Sequence, residues 1–206
     1  MIAFPSAVRL SARDLAQIAV FAALIVALGL PGQLNIGTSG VPITLQSMGI
    51  MLAGAILGAR KGCLSVLVVI ALSMAGLPIL AGGRSGLTAI VSPTAGYLIG
   101  WIPAVIVIGL LTKVLMPRYN VVAGIGINII GGLVVMYACG VVGLVWRADL
   151  SLNAAIATNF LYLPGDLVKA VVTALVAAQV HRSYPGLITP FRSKRVPFAE
   201  PAGQPA

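Results

Sequence analysis

Long apolar runs separated by short polar, proline or glycine breaks fill the chain from Leu15 to Val180. A helix that crosses a bilayer needs about 20 mostly apolar residues. The pattern predicts six, at Leu15–Leu30, Ile43–Ala59, Gly62–Leu80, Pro93–Thr112, Val121–Trp146 and Phe160–Val180. Pro31-Gly32 ends the first, and Pro42 stands where the second begins. Arg60-Lys61 forms a tight charged turn between the second and third. A Gly-rich loop runs from Pro78 through Ser92, and Pro117 precedes the fifth helix. Ala148–Ala157 links the fifth to the sixth, whose beginning Pro164-Gly165 interrupts. The expected fold is an all-α membrane protein: a six-transmembrane-helix bundle over residues 1–181, then a basic, Pro-rich tail over 182–206 expected to be disordered. The runs leave no room for a second, soluble domain.

Composition agrees with this pattern. Of 206 residues, 59% are apolar and 8% charged, against roughly 25% charged in soluble domains. Most of the surface must therefore meet a lipid bilayer. The net charge of +9 does not point to nucleic acid, because no basic face has aromatic residues interleaved with it. Its placement sets the topology instead. Arg9, Arg13, Arg60, Lys61, Lys113, Arg118, Arg182, Arg192, Lys194 and Arg195 fall on one side, and Arg84 and Arg147 on the other. Positive charge favours the cytoplasmic side, so both termini are expected in the cytoplasm of a multi-pass protein of the cell (inner) membrane. Arg9 and Arg13 before an apolar stretch could suggest a signal peptide. The following chain is equally apolar, so that stretch reads as the first spanning helix. Cys63 and Cys139 lie inside apolar runs with no metal-site spacing, and neither a metal nor a cofactor is expected.

Small residues recur four apart at Ala19 and Ala23, Gly54 and Gly58, and Gly96 and Gly100. In lipid such spacing lets helix backbones approach closely. The first helix, with Ala12, Ala16, Ala19, Ala23 and Ala27, is rich enough in small residues to suggest docking onto another membrane protein.

Chemistry is sparse. The acids are Asp14, Asp149, Asp166 and Glu200, and the one histidine is His181. No acid–base or nucleophile–base pair can be assembled within one helix or loop, which argues against an intramembrane enzyme. No GxxxxGK[ST] loop is present, so the chain does not hydrolyse nucleotide by itself. Asp166 and Lys169 are three apart and share a helix face. Charges inside a membrane are costly and point to function. At 1.5 Å per residue, Lys169 lies ~18 Å and Asp166 ~22 Å above the His181 end of the helix, in the outer half. A self-satisfied ion pair is the competing reading, and the Pro-Gly break above Asp166 weighs against it. Gly82-Gly83-Arg84-Ser85-Gly86 offers backbone access and a guanidinium fork for a carboxylate or carbonyl, or is simply an exposed loop. Thr44, Gln46 and Asn128 could bind ligand or pack between helices. Arg84, Thr44, Gln46, Asp166 and Lys169 share the outer half. The cavity they imply carries a net +1 from Arg84, Lys169 and Asp166, which suits a monoanion.

Four stretches together resemble the BioY family of biotin transporters: Val41-Pro42-Ile43-Thr44-Leu45-Gln46, Gly82-Gly83-Arg84-Ser85-Gly86-Leu87, Ser92-Pro93-Thr94-Ala95-Gly96-Tyr97-Leu98 and Pro164-Gly165-Asp166-Leu167-Val168-Lys169. Ser92-Pro93-Thr94-Ala95-Gly96 departs mildly from the family's frequent Gly-Pro-Thr-Gly-Gly. These proteins are the substrate-capturing S components of energy-coupling factor (ECF) transporters. The resemblance implies a six-helix bundle with the vitamin near its outer face, beneath the loop joining helices one and two. It also implies a membrane-spanning T component and two cytoplasmic ATPases as partners, with Ala16, Ala19 and Ala23 facing the T component. The substrate-binding candidates are then Asp166, Lys169, Arg84, Gln46, Thr44, Gly83, Tyr97 and Asn128. Biotin's chemistry agrees. Asp166 can accept its ureido N–H groups, while Lys169 or Arg84 can donate to the ureido carbonyl. A 6% aromatic content speaks against flavin or thiamin, where stacking helps. An S component for another small vitamin is the nearest alternative, and a membrane subunit with no ligand leaves the outer-half charges unexplained beyond an ion pair.

Overall fold

The computed structural model describes residues 10–32 and 43–190, so the stretch 33–42 and the tail beyond 190 lie outside the described residues. Helix α1 spans Ala12–Ala27. Its start is fixed reciprocally: the Ser11 hydroxyl accepts from the Asp14 N–H at 3.2 Å, and the Asp14 carboxylate accepts from the Ser11 N–H at 3.1 Å. This capping box satisfies two donors that a helix start otherwise leaves open.

Helix α2 covers Gln46–Met74 as one 29-residue run. The run is broken at Gly58 (φ 78°, ψ 178°), a backbone region that essentially only glycine enters. Beyond it the chain folds back, for a Cβ on Gly62 would meet the Ala53 carbonyl. The result is a helical hairpin with Arg60 and Lys61 just past its tip. The charged turn expected there exists, with its reversal two residues earlier, at the residue able to adopt that conformation.

A short helix, α3 (Gly86–Ile90), is capped by Ser85 inside the expected Gly-rich loop. Helix α4 runs over Ala95–Leu115. The next 27 residues form one rod: α5 (Val121–Asn128), a π-helical turn over Ile129–Val135, and α6 (Met136–Arg147). The expected link Ala148–Ala157 is largely helical instead. Ser151 starts α7 (Leu152–Asn159) by accepting from the Ala154 N–H. Helix α8 spans Leu163–Ser183, which corrects a second expectation. Pro164-Gly165 does not interrupt this helix; it lies in its first turn, where proline forfeits no intrahelical hydrogen bond.

No strand occurs among the described residues. Four helical runs there are long and apolar enough to cross a membrane: Gln46–Met74, Ala95–Leu115, Val121–Arg147 and Leu163–Ser183. The protein is thus an all-helical, multi-pass membrane bundle. Small side chains fill its centre, among them Ala53, Ala104, Ala170, Ala174 and Ala177, so the helices lie close. At the α4–α6 crossing Gly96 faces Gly143 with no room for a Cβ. Outside, Val20, Val122, Val142 and Val168 are exposed, an apolar perimeter that lipid solvates and water does not. Helix α1 turns Ile18, Ala22 and Ile25 inward and leaves Ala12, Ala16, Ala19, Ala23 and Ala27 exposed.

Cross-contacts define two ends. At one, Gly29 after α1 abuts Gln46, and Lys169 reaches Thr44. At the other, Lys61 reaches Asp14 and Gln17, and His181 meets the Ala55 carbonyl at 2.8 Å.

Candidate functional site

A cavity opens at the end marked by Gln46 and Lys169. Its lining comes from the start of α2, the loop before α3, and helices α4, α6 and α8. Asp166 sits in the first turn of α8, where unpaired backbone N–H groups favour negative charge. Lys169 lies one turn on, and both side chains are buried. The Lys169 Nζ donates to Asp166 Oδ1 at 2.7 Å, to the Thr44 carbonyl at 2.5 Å and to Ser47 Oγ at 3.1 Å. Those three contacts use the three donors of an ammonium group. The other carboxylate oxygen, Oδ2, accepts from the Tyr137 hydroxyl at 2.6 Å. The pair is therefore not self-contained: α2 and α6 complete it, and it joins three helices at the cavity wall.

Arg84 reaches the cavity from a tight turn. Leu80 and Arg84 exchange backbone hydrogen bonds of 3.0 and 3.2 Å. Between them Gly82 and Gly83 take left-handed φ values of 76° and 69°, conformations that side chains disfavour. The guanidinium donates to the Ala81 carbonyl at 3.3 Å and to Thr94 Oγ1 at 3.4 Å. Both partners are neutral. Burial lowers the Arg84 pKa from its ordinary value, and a guanidinium still keeps its proton.

Tyr97 lines the same cavity, its hydroxyl bonded to Asn159 Oδ1 at 2.8 Å and its ring edge-on to Tyr162 at 6.5 Å. Apolar lining comes from residues such as Leu80, Leu98, Trp101 and Met136.

The structure thus gathers Thr44, Gln46, Arg84, Tyr97, Asp166 and Lys169 around one cavity. Two other candidates lie outside its lining. Asn128 is fully buried against α8, its amide donating to the Ala170 carbonyl at 3.2 Å. Gly83 is exposed, and its contribution is the backbone turn. The detail also changes for two that are present. Thr44 offers its carbonyl to Lys169, and both ends of the Gln46 amide are occupied by backbone, Nε2 donating to the Ile79 carbonyl and Oε1 accepting from the Ala81 N–H.

Sequence reasoning missed Tyr137 and Ser47. Ser47 stands beside Gln46 and was open to view. Tyr137 is a polar-tipped side chain in a long apolar run, which is itself a signal. Its direction was hidden because the π-helical turn over Ile129–Val135 shifts the helix register just before it, so no 3.6-residue periodicity could assign its face.

Comparison with known proteins gives one answer. Residues 5–186 match the sequence model of the BioY family. The biotin transporter BioY of Rhodobacter capsulatus is 50% identical over 187 residues, covering 85% of this chain and 97% of that protein. That of Rhizobium etli is 45% identical over 181 residues, again with 85% and 97% covered. Among solved structures, the S component for biotin from an ECF-type ABC transporter superposes with a TM-score of 0.81 at 30% identity, covering 86% of this chain and 97% of the other. The chain belongs to the BioY family.

Proposed function

We propose that this protein captures biotin at the membrane and takes it up as the S component of an ECF transporter. One observation carries the reading beyond family membership: a buried Asp166–Lys169 pair, held by Tyr137 and Ser47, shares a largely apolar cavity with an arginine whose described partners are neutral. Biotin needs those three features. Its ureido ring presents two N–H groups to a carboxylate and a carbonyl to an ammonium, its fused ring and chain suit apolar walls, and its carboxylate suits a guanidinium. Asp166 and Lys169 take the ureido end in this reading, with the ureido carbonyl replacing one of the three contacts that occupy the Lys169 ammonium. Arg84 takes the carboxylate, since Asp166 and Lys169 already balance each other. Thr44 and Tyr97 belong to the wall around the ligand.

The topology that accompanies this function has six spans: α1, the two arms of α2, α4, the rod over 121–147, and α8. The ten-to-two distribution of Lys and Arg supports cytoplasmic termini and an outward-facing cavity in the inner cell membrane, with the basic tail on the cytoplasmic side. The exposed alanine face of α1 fits close contact with a T component, which links the bundle to two cytoplasmic ATPases.

Calorimetry of the purified protein in detergent tests the central claim. Biotin should bind, and riboflavin and thiamin should not. Asp166→Asn keeps the shape and removes the charge, so it should weaken biotin binding by at least roughly tenfold, the equivalent of 1.4 kcal/mol. Normal biotin affinity in well-folded Asp166→Asn protein would defeat the assignment.

A further inference from the structure

The Gln46 amide makes two hydrogen bonds across more than thirty residues of sequence. Nε2 donates to the Ile79 carbonyl at 3.1 Å, and Oε1 accepts from the Ala81 N–H at 3.0 Å. Gln46 is 2% exposed, and Gly29 just after α1 packs on the amide so closely that a Cβ there would come within 3.0 Å of Nε2. Ile79 and Ala81 flank Leu80, the residue whose backbone pairs with Arg84. Gln46 thus grips both sides of the strand-like residue that anchors the Arg84 turn. Among the described residues, the contacts of the Arg84 side chain are long, 3.3 and 3.4 Å. Its position is set through the backbone turn more than through its guanidinium.

We infer that Gln46 is a positioning residue that fixes Arg84 for the ligand rather than a ligand contact. One N–H and one lone pair of the amide remain, but both atoms are aimed at backbone and the residue is 2% exposed, so a ligand contact there would compete with the clasp on the loop. The inference rests on the biotin reading above, and it makes a sharper claim: Gln46 matters to binding only through Arg84.

A binding cycle tests it, with biotin as the titrant and the full chain in detergent. Gln46→Met removes both hydrogen bonds and nearly keeps the volume, and should weaken biotin binding about tenfold, as loss of two neutral hydrogen bonds would. In an Arg84→Ala background the same substitution should cost less than about twofold, since coupled sites are non-additive. A second tenfold loss there would mean direct contact and overturn the inference. Undiminished binding by Gln46→Met in the parent background would overturn it equally. Gln46→Glu, which retains the acceptor for Ala81 alone, should fall between the two, and runs the same cycle if Gln46→Met does not fold. Hydrogen exchange at the Leu80 and Arg84 amides reads the clasp without ligand and should quicken in Gln46→Met. If the parent fails to bind biotin, the functional reading falls, and unchanged exchange then sinks the clasp separately.

Discussion

Two aspartate–lysine pairs sit at opposite ends of this bundle and show what burial does to the same chemistry. Asp14 and Lys61 meet at 3.3 Å, with side chains 31% and 16% exposed. Asp166 and Lys169 meet at 2.7 Å, with side chains 10% and 7% exposed. The first pair joins two elements in a setting where water and salt screen it, and such pairs contribute little. The second lies within one helix, so it adds no tertiary link by itself. Its partners Thr44, Ser47 and Tyr137 supply that link, because two buried charges need their remaining hydrogen-bonding capacity filled. A pair at the surface can be a fastening alone. A pair inside must be surrounded by polar groups, and those groups make a site that a polar ligand can enter by exchange.

The comparison breaks most sharply at Lys169. Lys169→Met leaves the Asp166 carboxylate buried without its cation and leaves the Thr44 carbonyl and Ser47 with only their long mutual contact of 3.4 Å among the described residues. Removing one member of a buried pair costs about 3–5 kcal/mol. Thermal unfolding in detergent should therefore shift down markedly, and biotin binding should fall by well over about tenfold. A variant as stable as the parent would mean that the pair is effectively solvated despite its burial.

Tyr137→Phe asks for less. It removes one hydroxyl and keeps the ring against its neighbours. A hydrogen bond to a charged group contributes about 1.5–3 kcal/mol, so biotin affinity should drop roughly ten- to a hundredfold if that bond holds Asp166 in its binding orientation. Unaltered affinity in calorimetry would assign the Tyr137 hydroxyl to packing alone.

These two variants differ in how readily the sequence suggested them. Lys169 stood out because a lysine in an apolar run is rare and its partner lay one turn away. Local spacing carries that information. Tyr137 lies 29 residues from Asp166 behind a π-helical turn, and the packing of α5 and that turn on α8 brings the two together. The helical class of the fold was legible for the same reason as Lys169, since apolar runs report directly on lipid. Helices α3 and α7 were not, because Gly86–Ile90 and Leu152–Asn159 are too short to show a period and their Ser caps resemble turn residues. Gln46 was visible as a polar residue near the cavity, but its two backbone partners were not, because a side chain that binds backbone leaves no complementary residue type to find.

The two ends should also separate capture from coupling. Ala19→Trp with Ala23→Trp changes only exposed positions of α1, away from the cavity lining. Biotin binding by the purified protein should stay at the parent level, while ATP-driven uptake in cells should fall because bulky side chains keep a partner helix at a distance. Uptake equal to the parent would move the docking face elsewhere.

Lys61→Met should do least of all. Lys61 also donates to Gln17 Oε1 at 2.6 Å, so its loss removes a hydrogen bond together with the ion pair, both at partly exposed positions. Asp14 keeps its contacts with Ser11, which hold the start of α1 whether or not Lys61 is present. Water can take the place of the lost ammonium on both partners. Thermal stability should therefore stay close to that of the parent, and raising the salt concentration should narrow the remaining difference, as screening weakens an exposed pair. Biotin affinity should be unchanged, since the pair lies at the opposite end of the bundle from the cavity. A loss of stability comparable to that of Lys169→Met, or one indifferent to salt, would show that exposure does not separate the two pairs. The Lys61 contact would then be a structural fastening of α1 as strong as the buried one.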